Sequence, residues 1–217
     1  MLAFALIATQ LGISEEFTTT ESGKRVLEDG TWEEAVEPQE EEATETDASQ
    51  TNFRRTSWGM SLHQVKSTEE EQPVYETDGL LMYNLTVGGL SANLFYRFLN
   101  GLLGLSTYVF TESHSNKNLF IDDYLAIKAV LRQKYGSPLS DQTVWRNSLF
   151  KNDPEKWGTA VSIGHLSYKT YWELEEMVIM LSLIGDEYDI THTLVYSATN
   201  LSDIREQAQQ DKNQSDF

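Results

Sequence analysis

No cysteine occurs among the 217 residues. That excludes disulfides, thiolate metal sites, cysteine nucleophiles and a lipid-modified N-terminal cysteine. Proline is scarce, at four residues, and Pro73 and Pro138 stand where helices should stop. Bases are few: 16 Lys and Arg face 34 Asp and Glu, a formal charge of −18. Such a chain repels phosphate backbones, whose binding depends on cationic neutralisation, and no basic stripe offsets this. Nucleic acid is not expected as a partner. No apolar run approaches the roughly 20 residues that cross a bilayer, so no transmembrane span is expected.

What is present suits one domain with extensions. Hydrophobic residues make up 40%, including five Trp, ten Tyr and nine Phe, enough for a substantial core. The charge is uneven: 13 acids face 2 bases in residues 1–50, and 21 face 14 in residues 51–217. Residues 1–14 open on the apolar "MLAFALIATQLG", a run of signal-core length without a positive leader. It reads either as a signal-peptide remnant, implying export to the periplasm or beyond in a bacterium, or as a buried segment of a cytoplasmic protein. Residues 15–36 carry a small hairpin pattern, with Asp29-Gly30 as a two-residue turn. Residues 37–52 hold no apolar side chain larger than Ala apart from Pro38 and read as an acidic, disordered linker.

Residues 53–199 should form the folded domain. In "FRRTSWGMSLHQVKSTEEE", Ser61 can cap a short helix whose apolar face holds Leu62 and Val65. Trp58 is expected to anchor that helix on the sheet. Three strand patterns follow, separated by Gly88-Gly89 and Asn100-Gly101, both fit for type I′ turns. Two-residue loops pair Leu85 with Ala92 and Tyr83 with Leu94 across the first turn. Across the second they pair Phe98 with Leu103, Tyr96 with Leu105 and Ala92 with Val109. This register puts Leu81, Tyr83, Leu94, Tyr96, Leu103, Leu105 and Val109 on one face. The opposite face then holds Met82, Phe95, Leu99, Leu102, Tyr108 and Phe110, too apolar to be fully solvated. These six are the candidate binding face, unless another element covers them.

A long helix follows within "NKNLFIDDYLAIKAVLRQKYGSP". Its stripe is Phe120, Tyr124, Ile127, Leu131 and Tyr135, and its end is marked by Gly136 and Pro138. Strands are expected around 144–150, 160–168, 171–174, 177–184 and 188–197, with Gly185, Asp186 and Glu187 joining the last two. Residues 200–217 suit a short helix and a frayed tail. The fold class is α+β: an antiparallel meander packed by one long and one short helix, behind an acidic leader.

No catalytic constellation emerges. His63, His114, His165 and His192 share no metal-ligand spacing. Glu173, Glu175 and Glu176 suit a solvated strand tip rather than a catalytic carboxylate pair. In "GTAVSIGH" the glycines lie in a strand pattern and build no phosphate cradle. Catalytic, cofactor and metal sites are therefore all read as none.

The run F-x4-W-G-M-S-x3-V-K, here Phe53, Trp58, Gly59, Met60, Ser61, Val65 and Lys66, precedes a helix ending in Lys134, Tyr135, Gly136 and Pro138, and a late strand region with Trp172. Over about residues 53–197 this resembles a broad group of uncharacterised exported bacterial proteins, and the resemblance implies no activity. The helix-then-sheet order is also similar to the β-lactamase inhibitor proteins and to small outer-membrane assembly lipoproteins. The expected function is an exported, non-enzymatic protein that binds a protein or envelope component. The alternatives are a hydrolase using Glu173 or His165, or a cytoplasmic structural or stress protein.

Overall fold

Gly88 and Gly89 both have positive φ (62° and 84°), as do Asn100 and Gly101 (52° and 88°). Each pair closes a two-residue turn whose twist matches the flanking strands. The computed structural model describes residues 51–200 and Ser202, so the expectations for residues 1–50 and most of 200–217 lie outside the described residues.

The chain enters through helix α1 (Leu62–Thr68) and strands β1 (Tyr75–Thr77), β2 (Leu80–Val87), β3 (Leu90–Leu99) and β4 (Leu102–Phe110). Helix α2 (Leu119–Tyr135) leads to β5 (Ser140–Trp145), a 3-10 turn (Pro154–Lys156) and helix α3 (Trp157–Ser162). Strands β6 (Leu166–Glu173), β7 (Met177–Asp186) and β8 (Asp189–Ala198) complete the domain. All eight strands form one antiparallel sheet ordered β1-β2-β3-β4-β8-β7-β6-β5. It is two four-stranded meanders joined along β4 and β8, an α+β architecture. Because β4 is central and β5 lies at the far edge, α2 must carry the chain across the sheet.

The helices cover one face. Ser61 caps α1 in a capping box with Gln64, as its sequence position implies, and Val65 is fully buried. Trp58 is only half-buried against the core, so its anchoring is partial. In α2 the buried stripe is Ile121, Tyr124, Ile127 and Leu131; Phe120 and Tyr135 flank it, half-buried. Tyr124 reaches the sheet, with its hydroxyl 2.6 Å from Thr170 Oγ1 and its ring 5.4 Å from that of Tyr168.

Several expectations fail here, among them the strand at 144–150: β5 ends at Trp145 and residues 146–150 form a loop. The pairing across Asn100-Gly101 begins as expected, Phe98 opposite Leu103, but shifts between Arg97 and Phe98. Gly104 is left as the extra residue of a bulge, and beyond it Tyr96 faces Ser106, Leu94 faces Tyr108 and Ala92 faces Phe110. Leu105 and Val109 therefore turn away from the helices, and Tyr108 and Phe110 turn in. Two aromatic rings bury more apolar surface than a leucine and a valine. Another failure is residues 160–162, expected as strand but forming the end of α3. Small residues let this helix lie against the sheet: a Cβ on Gly185 would stand 2.1 Å from the Val161 carbonyl oxygen. In the last hairpin the turn residues are Glu187 and Tyr188, both with positive φ, two positions later than the expected turn began.

Candidate functional site

Of the six residues proposed from sequence as a binding face, the structure keeps four together. Met82 pairs directly with Phe95 and Leu99 with Leu102, all half-buried. Tyr108 and Phe110 are not part of that face. The bulge turns them into the core, where they are 4% and 8% exposed. Tyr108 packs 5.4 Å from the Phe53 ring, and Phe110 stacks on His192 at 4.3 Å.

A different site appears where the domain begins. Phe53 and Thr56 exchange backbone hydrogen bonds, Thr56 N donating to Phe53 O at 2.8 Å and Phe53 N to Thr56 O at 3.1 Å. Both residues are buried, and Phe53 sits among the rings of Tyr96, Tyr108 and Tyr196. The turn between them presents Arg54 and Arg55. Arg54 has φ 52°, a left-handed conformation that costs a non-glycine residue energy and persists only where its surroundings impose it.

Facing this turn is the end of α1. Glu69 adopts an extended conformation, which returns its carboxylate toward the sheet. It accepts hydrogen bonds from Arg54 at 3.1 Å and from the Tyr96 hydroxyl, and its side chain is only 10% exposed. The Tyr108 phenol lies close enough to Arg54 to favour its charge. Burial works against the Arg54 charge, but Tyr108 and Glu69 hold its pKa above the ordinary arginine value. Burial, and then the Glu69 carboxylate, push the Tyr96 phenol well above its usual range. Tyr83 is pushed up to about 12, by burial first and then by Glu69 and Glu76. The Tyr83 hydroxyl is buried without a hydrogen-bond partner.

Arg54, Arg55, Glu69, Glu70, Glu71, Tyr83, Asn84, Leu85 and Thr86 border a groove of about 700 Å³. Four consecutive residues of β2 take part, and side chains of a strand alternate between its faces, so the groove follows the strand's edge. Arg55 pairs with Glu70 at 2.9 Å, with both side chains largely exposed, an arrangement worth about 0–1 kcal/mol. Chemically the site offers fixed charges, two engaged phenols and one idle hydroxyl.

No family model, curated protein or solved structure matches the chain.

The histidines lie elsewhere. His192 is 3% exposed with its Nε2 unpartnered, and burial pushes its pKa down to about 3. His114 Nε2 lies 2.5 Å from Asp123, tying the segment after β4 to the first turns of α2. His165 precedes β6 and Glu173 ends it, about 26 Å apart along the strand, so the two residues suggested for hydrolysis do not converge. Among the described residues no three His, Asp or Glu side chains gather as a metal site, and no helix is long and apolar enough to cross a membrane.

Sequence reasoning missed the groove because Arg54, Glu69 and Tyr83 are far apart along the chain. One signal was available. Tyr83, Tyr96 and, once the bulge is placed, Tyr108 lie on one face of adjacent strands, and buried phenols require polar partners.

Proposed function

We propose that this is an exported, non-enzymatic domain that binds an extended polypeptide in the groove between Arg54, Arg55, the end of α1 and the edge of β2. The observation that carries the reading is the Arg54–Glu69 pair, held by the Tyr96 phenol and flanked by that of Tyr108, above an unpartnered Tyr83 hydroxyl. Charges fixed in this way need little reordering when a ligand arrives, which reduces the entropy lost on binding. A groove running along a strand suits a polymer better than a compact metabolite, since small-molecule sites enclose most of their ligand. Export rests on the apolar run at 1–12. Met82, Phe95, Leu99 and Leu102 are a second, apolar contact region on the reverse of the same strands.

Panning a displayed peptide library on the protein tests the reading. Enriched peptides should shift the amide resonances of Arg54, Arg55 and Glu71, and should bind about tenfold more weakly to Glu69→Gln. Peptides that shift only residues remote from the groove would refute it. Sequencing the mature N-terminus from fractionated cells tests export: an intact Met1 in the cytoplasm would refute that part. Turnover of ester, amide or glycosidic substrates that is lost in His165→Ala or Glu173→Gln would favour the hydrolase instead.

A further inference from the structure

Val87 and Leu90 close a two-residue turn, so they exchange both backbone hydrogen bonds. The pattern alternates along an antiparallel pair. The N–H and C=O groups of Leu81, Tyr83, Leu85 and Val87 therefore point to β3, and those of Leu80, Met82, Asn84 and Thr86 point the other way. The hydrogen bond from Val74 N to Met82 O, 2.8 Å, bears this out on the β1 side. Strand β1 covers only Leu80, Leu81 and Met82. Pro73, lacking an N–H, cannot continue the ladder. Among the described residues, the main-chain groups of Asn84 and Thr86 have no partner, and both residues border the groove.

We infer that this edge of β2 is a strand-addition site for an extended peptide rich in basic side chains. The inference rests on the groove being the binding site and specifies how it is occupied. An added strand would satisfy two N–H and two C=O groups at Asn84 and Thr86, which supplies affinity without reading sequence. The wall charges supply the selection. Arg54 is engaged by Glu69 and Arg55 by Glu70, whereas Glu71 has no cation among the described residues and leaves the groove acidic. Alternate residues of an incoming strand point to the side of the sheet bearing Tyr83, toward its idle hydroxyl. The others point to the side bearing Asn84 and Thr86.

The probe is a synthetic peptide alternating lysine with valine and threonine. Its controls are a version with glutamate for lysine and two versions N-methylated on every second amide, one for each edge. The basic peptide should bind and slow hydrogen exchange at the Asn84 and Thr86 amides by roughly tenfold or more. Methylating one edge should abolish binding and methylating the other should not. The acidic version should bind about tenfold more weakly, a gap that narrows in high salt. Thr86→Pro, at an N–H that points away from the sheet, should keep the folded spectrum and lose the peptide. Binding that perturbs Glu71 and Tyr83 without protecting Asn84 and Thr86 overturns strand addition while leaving the groove as the site. Absence of binding at millimolar peptide overturns the inference, as does self-association that protects the same amides without peptide. Panned peptides that contact residues outside the groove would instead remove the reading beneath it.

Discussion

Leu94 and Phe95 are neighbours in the chain and lie on opposite sides of the sheet. Leu94 has no exposed surface and pairs with Tyr83 and Tyr108, facing the helices; Phe95 is half-buried. Leu94→Ala should lower stability by about 2–5 kcal/mol, the range for a fully buried leucine, and Phe95→Ala by less. Chemical denaturation of the two variants checks this, and equal losses would show that both sides are equally packed. His192 gives a pH prediction at the same scale. Its imidazole titrates near 6.5 when unfolded and near 3 when folded, so the unfolded chain takes up the proton first. Stability is full above the unfolded value and is lost as pH falls toward the folded one. The loss amounts to about 2 kcal/mol between about pH 7 and pH 5. Thermal melts of His192→Leu should lack this part of the acid slope.

At the level of elements, α3 depends on close approach. Gly185→Ala would drive a Cβ to 2.1 Å from the Val161 carbonyl and 2.8 Å from Ser162 Cα. Backbone has to move, at a cost of about 3 kcal/mol or more. Gly89→Ala meets nothing within 4 Å but must hold φ 84°, which costs about 1–2 kcal/mol. A melting-point shift larger for Gly89→Ala than for Gly185→Ala would show that α3 does not rest on the sheet as described. Asn118 joins α2 to α3. Its side chain donates to the carbonyls of Pro154 and Glu155 and accepts from Gly158 N at 2.6 Å. Asn118→Ala leaves three polar groups without these partners and should cost about 1–3 kcal/mol, with faster amide exchange at Gly158.

Across the whole molecule, buried phenols set the alkaline limit. Burial raises Tyr83, Tyr96, Tyr108, Tyr124, Tyr168 and Tyr196 above the usual tyrosine value. A raised folded pKa gives stability that is complete below the unfolded value, about 10, and is lost as pH rises through the folded one. Each such tyrosine then contributes up to about 1.4 kcal/mol per pH unit. Alkaline unfolding should be steep, with phenolate absorbance appearing together with loss of the sheet signal. Gradual phenolate formation in a folded protein would show that these hydroxyls reach solvent. The groove tyrosines belong to this group, so the site shares the stability of the core.

Features decided by neighbouring residues were legible in the sequence. Gly88-Gly89 and Asn100-Gly101 make turns because few other residues accept two successive positive φ angles. Ser61 and Gln64 cap α1, and Gly136 ends α2, through bonds that close within one helical turn. Alternation then placed Tyr83, Leu94 and Tyr96 on one side. What only tertiary structure decided are choices between locally equal options. Whether Leu105 and Val109 or Tyr108 and Phe110 point inward depends on Phe53, His192 and Tyr196, which lie far away in the chain. Residues 157–162 suit strand or helix, and the space above Gly185 selects helix. The groove is the extreme case. Arg54, Glu69, Tyr83 and Tyr108 acquire their relation only when a turn, a helix end and three strands are packed together, because hydrogen bonds among buried polar groups form once water has been excluded.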